Sequence, residues 1–217
     1  MSKALSGGRR SHAALALPLS VVVVSAILSG CAGPPPREYV LGRGPTSDNA
    51  AAVQTALPVV QVERVVLPDY LDSRNILTRR DRQVVVSETG RWAERLSLGA
   101  TRLLAASLAA RLIGVTVTAA QPIDPPILRV VVDVIDFDVP ADGPVVLAAR
   151  WTITDGTGQK SLAAEQATLR EPVAAARDDA IVAAMSLALE KLANRISAGI
   201  EPNLGQRHRS GLSLSPT

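Results

Sequence analysis

The sequence predicts an α+β fold: a mixed, mostly antiparallel sheet of six or seven strands with two long helices packed on one of its faces. Two observations carry that expectation. Three β-type runs follow one another at 127–139, 145–155 and 159–169, and the first two are apolar at every second residue, as a half-buried antiparallel meander requires. Two other stretches, 92–113 and 174–199, repeat their apolar residues at the 3.6-residue period of a helix.

The elements follow in order. Residues 58–67 (PVVQVERVVL) are valine-rich and predict a strand that Pro68-Asp69 breaks. Residues 75–78 and 83–87 read as two short strands. Arg79-Arg80-Asp81-Arg82 between them reads as a hairpin turn and a solvated charge cluster. In the first helix Leu96, Ala100, Leu103, Leu104, Leu108 and Leu112 form one stripe, with Gly114 placed to end it. A short strand at 115–118 and a loop with three prolines at 121–126 lead into the meander. There Leu128, Val130, Val132 and Val134 share a face, as do Val145, Leu147, Ala149, Trp151 and Ile153. Asp155-Gly156-Thr157-Gly158 leads into a strand and not a helix, so it reads as a hairpin turn and not as a phosphate-cradling loop. The second helix buries Ile181, Met185, Ala188, Leu189, Leu192 and Ile196. It sets Asp178 and Asp179 at the positive end of its dipole and Lys191 and Arg195 toward the negative end. Residues 201–217 are polar and aperiodic and are expected to be a disordered tail.

The first thirty residues read differently. Lys3, Arg9 and Arg10 precede an apolar run from Ala13 to Leu28, and Leu28-Ser29-Gly30-Cys31 follows. That order of charge, apolar run and small residues is a signal peptide. The run is shorter than the roughly 20 apolar residues of a membrane span and is interrupted by Pro18, Ser20 and Ser25. The four residues ending at Cys31 resemble a lipobox. They imply cleavage after residue 30 and acylation of Cys31, palmitate included. Residues 31–57 are then a tether and loop. Pro34-Pro35-Pro36 favours stiff polyproline II, and residues 32–38 reach at most about 25 Å. The domain proper is placed at 58–200.

Composition removes several function classes. Without Lys3, Arg9 and Arg10 the chain carries 20 basic against 20 acidic residues, and such a neutral chain has no electrostatic reason to seek nucleic acid. Cys31 is the only cysteine. His12 falls in the signal and His208 in the tail, so the domain has neither the usual general base nor the commonest metal ligand. No enzyme, cofactor or metal site is expected. Asp133, Asp136 and Asp138 read as a solvated strand end, with Asp136 and Asp138 on one face and Asp133 on the other. Trp92 and Trp151 are expected in the core, although the residues leave open an apolar groove for a lipid or a partner.

Two segments carry a resemblance. One is Val65-Val66-Leu67-Pro68-Asp69-Tyr70-Leu71-Asp72 followed by Ile76-Leu77-Thr78-Arg79. The other is Glu88-Thr89-Gly90-Arg91-Trp92-Ala93-Glu94-Arg95-Leu96. With the lipobox and Tyr39-Val40-Leu41, they resemble the PqiC-like group of ABC-type transport auxiliary lipoproteins. The chain departs from that pattern at Ser73-Arg74-Asn75 and at Arg95. The resemblance implies a lipoprotein on the periplasmic face of the outer membrane, with which Ala32 after the cysteine agrees. It implies an MCE-domain partner of the PqiB type that carries phospholipid between membranes, and a role in membrane integrity. Homo-oligomerisation is left open. The partner-binding candidates are Asp69, Tyr70, Arg91, Trp92 and Glu94. Arg91 and Glu94 are expected to form an ion pair at the helix start, with Trp92 packing beside them. The segment Leu67–Asp72 is either a structural turn, the reading favoured, or an exposed partner loop. The rival function is an assembly factor for another envelope machine, such as a secretin pilotin or a peptidoglycan synthase activator.

Overall fold

The computed structural model describes residues 34–42, 57–141 and 143–211. The signal segment, Cys31, all but the last residue of the loop expected at 43–57 and the last six residues lie outside the described residues. The chain divides into two compact units, and the fold below is that of the second, Pro36–Thr217.

Among the described residues eight strands and two helices follow one another: β1 (Arg37–Tyr39), β2 (Val59–Val62), β3 (Asn75–Arg80), β4 (Gln83–Trp92), α1 (Leu96–Ala109), β5 (Thr116–Thr118), β6 (Leu128–Asp138), β7 (Val145–Asp155), β8 (Ser161–Glu171) and α2 (Asp178–Gly211). The fold is α+β, as the periodicities predict. It has two sheets where one of six or seven strands was expected: a three-stranded sheet ordered β1-β4-β3 and a five-stranded sheet ordered β5-β2-β6-β7-β8.

The meander is the frame. β6 and β7 pair antiparallel from Leu128↔Asp155 to Asp138↔Val146, and β7 and β8 from Val145↔Glu171 to Thr154↔Ser161. β2 runs parallel to both β6 and β5. The turn into β8 depends on a small residue. A Cβ on Gly156 would lie 1.7 Å from the Pro126 carbonyl oxygen, so only glycine lets these two backbones approach.

The strand expected at 58–67 is shorter, because after Val62 the chain leaves the ladder and rejoins β6 only at Val66↔Asp133. The same edge of β6 then meets β3 through Arg79, whose N–H donates to Val139 O at 2.8 Å, while Ala141 N donates to Arg79 O. One edge of β6 is thus covered in turn by β2, Val66 and β3.

β6 also carries a bulge between Val134 and Asp136. Its buried series shifts there from Leu128, Val130, Val132 and Val134 to Phe137 and Val139. The shift corrects one expectation: Asp133, Asp136 and Asp138 all lie on the less buried face.

The helices pack on each other, α1 against β2 and β5, α2 against β7 and β8. Leu104, Leu108, Leu189, Leu192 and Ile196 meet Val130, Val132, Leu147 and Ile153 in one buried core. Each such side chain contributes about 1.5–3 kcal/mol by leaving water. α1 begins at Leu96 rather than Trp92, because residues 83–92 are spent on β4. α2 begins at Asp178 and runs to Gly211 with Pro202 inside it, so the tail expected from residue 201 is helical as far as 211. β1 adds a strand within the stretch read as tether, parallel to β4 from Arg37↔Gly90 to Tyr39↔Trp92.

Candidate functional site

The two resemblance-bearing segments meet at the N-terminus of α1. That helix needs help there, because the side chain of Arg95 at its N-cap makes no capping bond and its first turn has no acidic residue. Asp72 supplies the acceptor from a distant loop. Its Oδ1 takes the Ser97 N–H at 3.1 Å, and its Oδ2 lies 3.2 Å from Arg95 Nη1 and 3.5 Å from Arg64 Nη2. Partial burial works against the charge of Asp72. The Ser97 hydrogen bonds and the charges of Arg95 and Arg64 outweigh it and hold the carboxyl below the ordinary 3.8. Arg64 also donates to Ser97 Oγ at 2.8 Å, and Val65 N donates to Thr101 Oγ1 at 2.9 Å, which ties the segment just after β2 to the helix.

The second segment binds β1 and α2. Trp92 N donates to Arg74 O at 2.7 Å, Arg74 Nε donates back to Trp92 O at 3.1 Å, and Ala93 N donates to Tyr39 O at 2.7 Å. Arg91 pairs with Glu38, Nη2 to Oε1 at 2.8 Å, and Arg74 Nη2 reaches the same oxygen at 3.0 Å. Glu94, just before α1, pairs with Arg102 in its second turn, Oε1 to Nη2 at 2.5 Å. The expected Arg91–Glu94 pair is therefore replaced by two others: β4 places Arg91 beside β1, while Glu94 lies at the start of α1. Gly90 is where α2 docks. A Cβ there would lie 2.5 Å from Asp178 Oδ2 and 2.8 Å from Tyr39 Cε2. Its absence lets Asp178, in the first turn of α2, accept from Ser87 Oγ at 3.0 Å and Thr89 Oγ1 at 2.7 Å.

The five partner candidates thus separate. Trp92 is 3% exposed and belongs to the core, so it offers no surface to a partner. Arg91 and Glu94 are engaged in holding β1 and α1. Asp69 and Tyr70 lie on a turn, closed by Leu71 N to Pro68 O at 2.9 Å, and both are exposed. The turn is structural through Leu71, which is buried, and presents Tyr70 outward at 45% exposure.

Tyr70 leads to residues that the sequence places in a hairpin turn and a solvated strand end. Its hydroxyl accepts from Arg79 Nη2 at 3.2 Å. Arg79 Nε donates to Asp138 Oδ1 at 2.7 Å, and its Nη2 lies 3.7 Å from Asp136 Oδ1. Arg79 sits in β3 and not in the turn, which contracts to Asp81-Arg82 with Asp81 at φ 54°. Burial and the neighbouring Asp138 charge raise the Asp136 carboxyl above 3.8, with Arg79 opposing. The only sequence signal for this cluster was the close spacing of the three aspartates. Among the described residues no helix is long and apolar enough to cross a membrane.

Comparisons with known proteins address what this scaffold is. An uncharacterized protein of solved structure matches 76% of this chain and 99% of its own, at 21% identity and a TM-score of 0.62. Protein XCC0632 from Xanthomonas campestris matches 81% of this chain and 97% of its own, at 16% identity and a TM-score of 0.57. Likeness at that identity speaks for the fold alone. No curated protein matches in sequence. The family described as "ABC-type transport auxiliary lipoprotein component" matches residues 39–197, a span that begins in β1, takes in both interlocked segments and ends within α2. By that match the chain belongs to the ABC-type transport auxiliary lipoproteins, membrane-anchored envelope proteins that assist a transporter.

Proposed function

We propose that this lipoprotein is acylated at Cys31, is held at the periplasmic face of the outer membrane, and docks an MCE-type lipid transport assembly there without catalysing a reaction. Family membership over residues 39–197 is the observation that carries the reading. The position of β1 supports it. Strand β1 begins at Arg37, six residues after Cys31, and is tied to β4 and to Arg74 and Arg91. Six residues span at most about 20 Å. An acylated Cys31 therefore keeps the domain against its membrane, so that a bridging assembly must reach to it. One diacylglycerol with a further acyl chain holds such a domain stably, since each buried methylene contributes about 0.8 kcal/mol.

Two measurements test this. Metabolic palmitate labelling of the full chain should mark the wild type and vanish in Cys31→Ser. Affinity purification from crosslinked membranes should recover an MCE-domain protein. Labelling that survives Cys31→Ser, or purification that repeatedly yields the lipoprotein with no MCE-domain protein, would sink the respective half of the proposal.

A further inference from the structure

The outward face around Arg79 is built unlike a solvated sheet surface. Parallel pairing puts Val66 beside Asp133, and antiparallel pairing puts Val84 opposite Arg79 and Val86 opposite Leu77. Side chains paired across strands point to one face. Val66, Val84 and Val86 therefore share the face on which Arg79 meets Asp136, Asp138 and Tyr70. The bulge in β6 leaves Ile135, the neighbour of Asp136, exposed as well. These apolar side chains are exposed: Val66 55%, Ile135 54%, Val86 49%, Tyr70 45% and Val84 41%. Apolar side chains clustered on one face mark an interaction surface. At its centre two carboxylates share a single guanidinium, and Asp136 holds the longer contact, 3.7 Å against 2.7 Å for Asp138.

We propose that this face, centred on Asp136 and ringed by Val66, Tyr70, Val84, Val86 and Ile135, docks a different protein that presents a basic side chain between apolar ones. The inference rests on the docking role above and names its surface. Charge selects the occupant. The carboxylate in excess at the centre matches a basic group, and a close basic partner turns an expensive half-neutralised carboxylate into a paired one. An anionic membrane surface prefers lysine and arginine and is repelled by this centre. A second copy meeting the face with its own image would set Asp136 and Asp138 against themselves.

The test uses the full-length lipoprotein in cells, with a photocrosslinking amino acid at Val84 or Ile135. The control position is Leu98 on α1, which is comparably exposed at 43%. Adducts from Val84 and Ile135 to one protein should exceed those from Leu98 at least fivefold. They should map to a segment with lysine or arginine among apolar residues, and Asp136→Asn should reduce them roughly tenfold, the loss of one charged pair. A melting temperature of Asp136→Asn no lower than the wild type shows that the loss is not unfolding. Adducts equal at Leu98, adducts only to lipid or to a second copy, a mapped segment with no basic residue, or no effect of Asp136→Asn would each overturn the proposal. An MCE-domain protein crosslinking only through other surfaces would refute this face and keep the docking role. A mapped basic-apolar partner without an MCE domain would do the reverse.

Discussion

Replacing Asp72 by alanine tests the interlock at its centre. The substitution removes the acceptor of the Ser97 N–H at the N-terminus of α1 and the shared partner of Arg95 and Arg64. Losing a helix cap costs about 1 kcal/mol. The two arginines are half exposed or more, so their pairing adds at most about 1 kcal/mol together. The total is about 2 kcal/mol. At roughly 2–4 °C per kcal/mol for a domain of this size, Asp72→Ala should lower the melting temperature by about 4–8 °C at pH 7. Asp72→Asn keeps an acceptor oxygen but not the charge and should lose about half as much. The pH dependence is a second signature. A carboxyl held below its unfolded value stabilises the fold above about pH 4, and that contribution disappears as pH falls through the folded value. Circular-dichroism melts of purified protein between pH 7 and pH 3 should show the wild type approaching the asparagine variant at the acid end, so that its margin over the alanine variant shrinks. A drop below about 1 °C at pH 7, or a difference that stays constant to pH 3, would refute the account of Asp72 as a charged cap.

Three other substitutions probe separate parts of the fold. Gly156→Ala places a carbon against the Pro126 carbonyl oxygen and should cost about 3 kcal/mol, read as a lowered urea midpoint with unchanged slope. Lys191→Met leaves Glu171, whose side chain is 2% exposed and lies 2.7 Å from the ammonium, as an unpaired buried acid. It should cost about 3 kcal/mol, and Glu171→Gln added to it should recover most of the loss in a double-mutant cycle. Asp136→Asn should act in the opposite sense to Asp72→Ala. A carboxyl raised by the fold loses stability as pH climbs past its unfolded value, so the amide should melt higher than the wild type at pH 7 and equally at pH 3.

The meander was legible because one face of the sheet is buried by helices, and every second side chain reports it. Strand β7 falls where its alternation places it, at 145–155. Alternation assumes an unbroken pleat, which is why Asp133 was set on the wrong face: the bulge at Ile135 adds one residue, and nothing in DVIDFD announces it. Trp92 was read into the helix because Trp92 and Leu96 are four apart, a helical spacing. Pairing with Tyr39 in β1 and Arg74 holds it in β4 instead, a tertiary demand that no local window contains. The same holds for the site. Asp72, Glu38 and Asp178 work through partners 25, 53 and 91 residues away, so their roles appear only once the chain is folded.

That separation bears on what a family resemblance can mean here. Of the residues that carry it, Val65–Asp72 with Ile76–Arg79 and Glu88–Leu96, many are committed to joining β1, α1 and α2. Of the five candidates drawn from them, Trp92 is buried, and Arg91 and Glu94 are tied into that joint. Asp69 and Tyr70 alone lie on an outward turn, and Tyr70 points to Arg79 and onward to Asp136. On the docking surface proposed above, the interlock acts indirectly. By fixing the turn through Leu71 and the hairpin through Trp92, it holds Tyr70 and β3 against the bulged strand, so that an apolar ring and an under-neutralised acid share one rigid face. A partner-binding defect from Arg91 or Glu94 should come with lost stability, whereas one from Asp136 should come with gained stability. Those opposite signs separate the joint from the surface it supports.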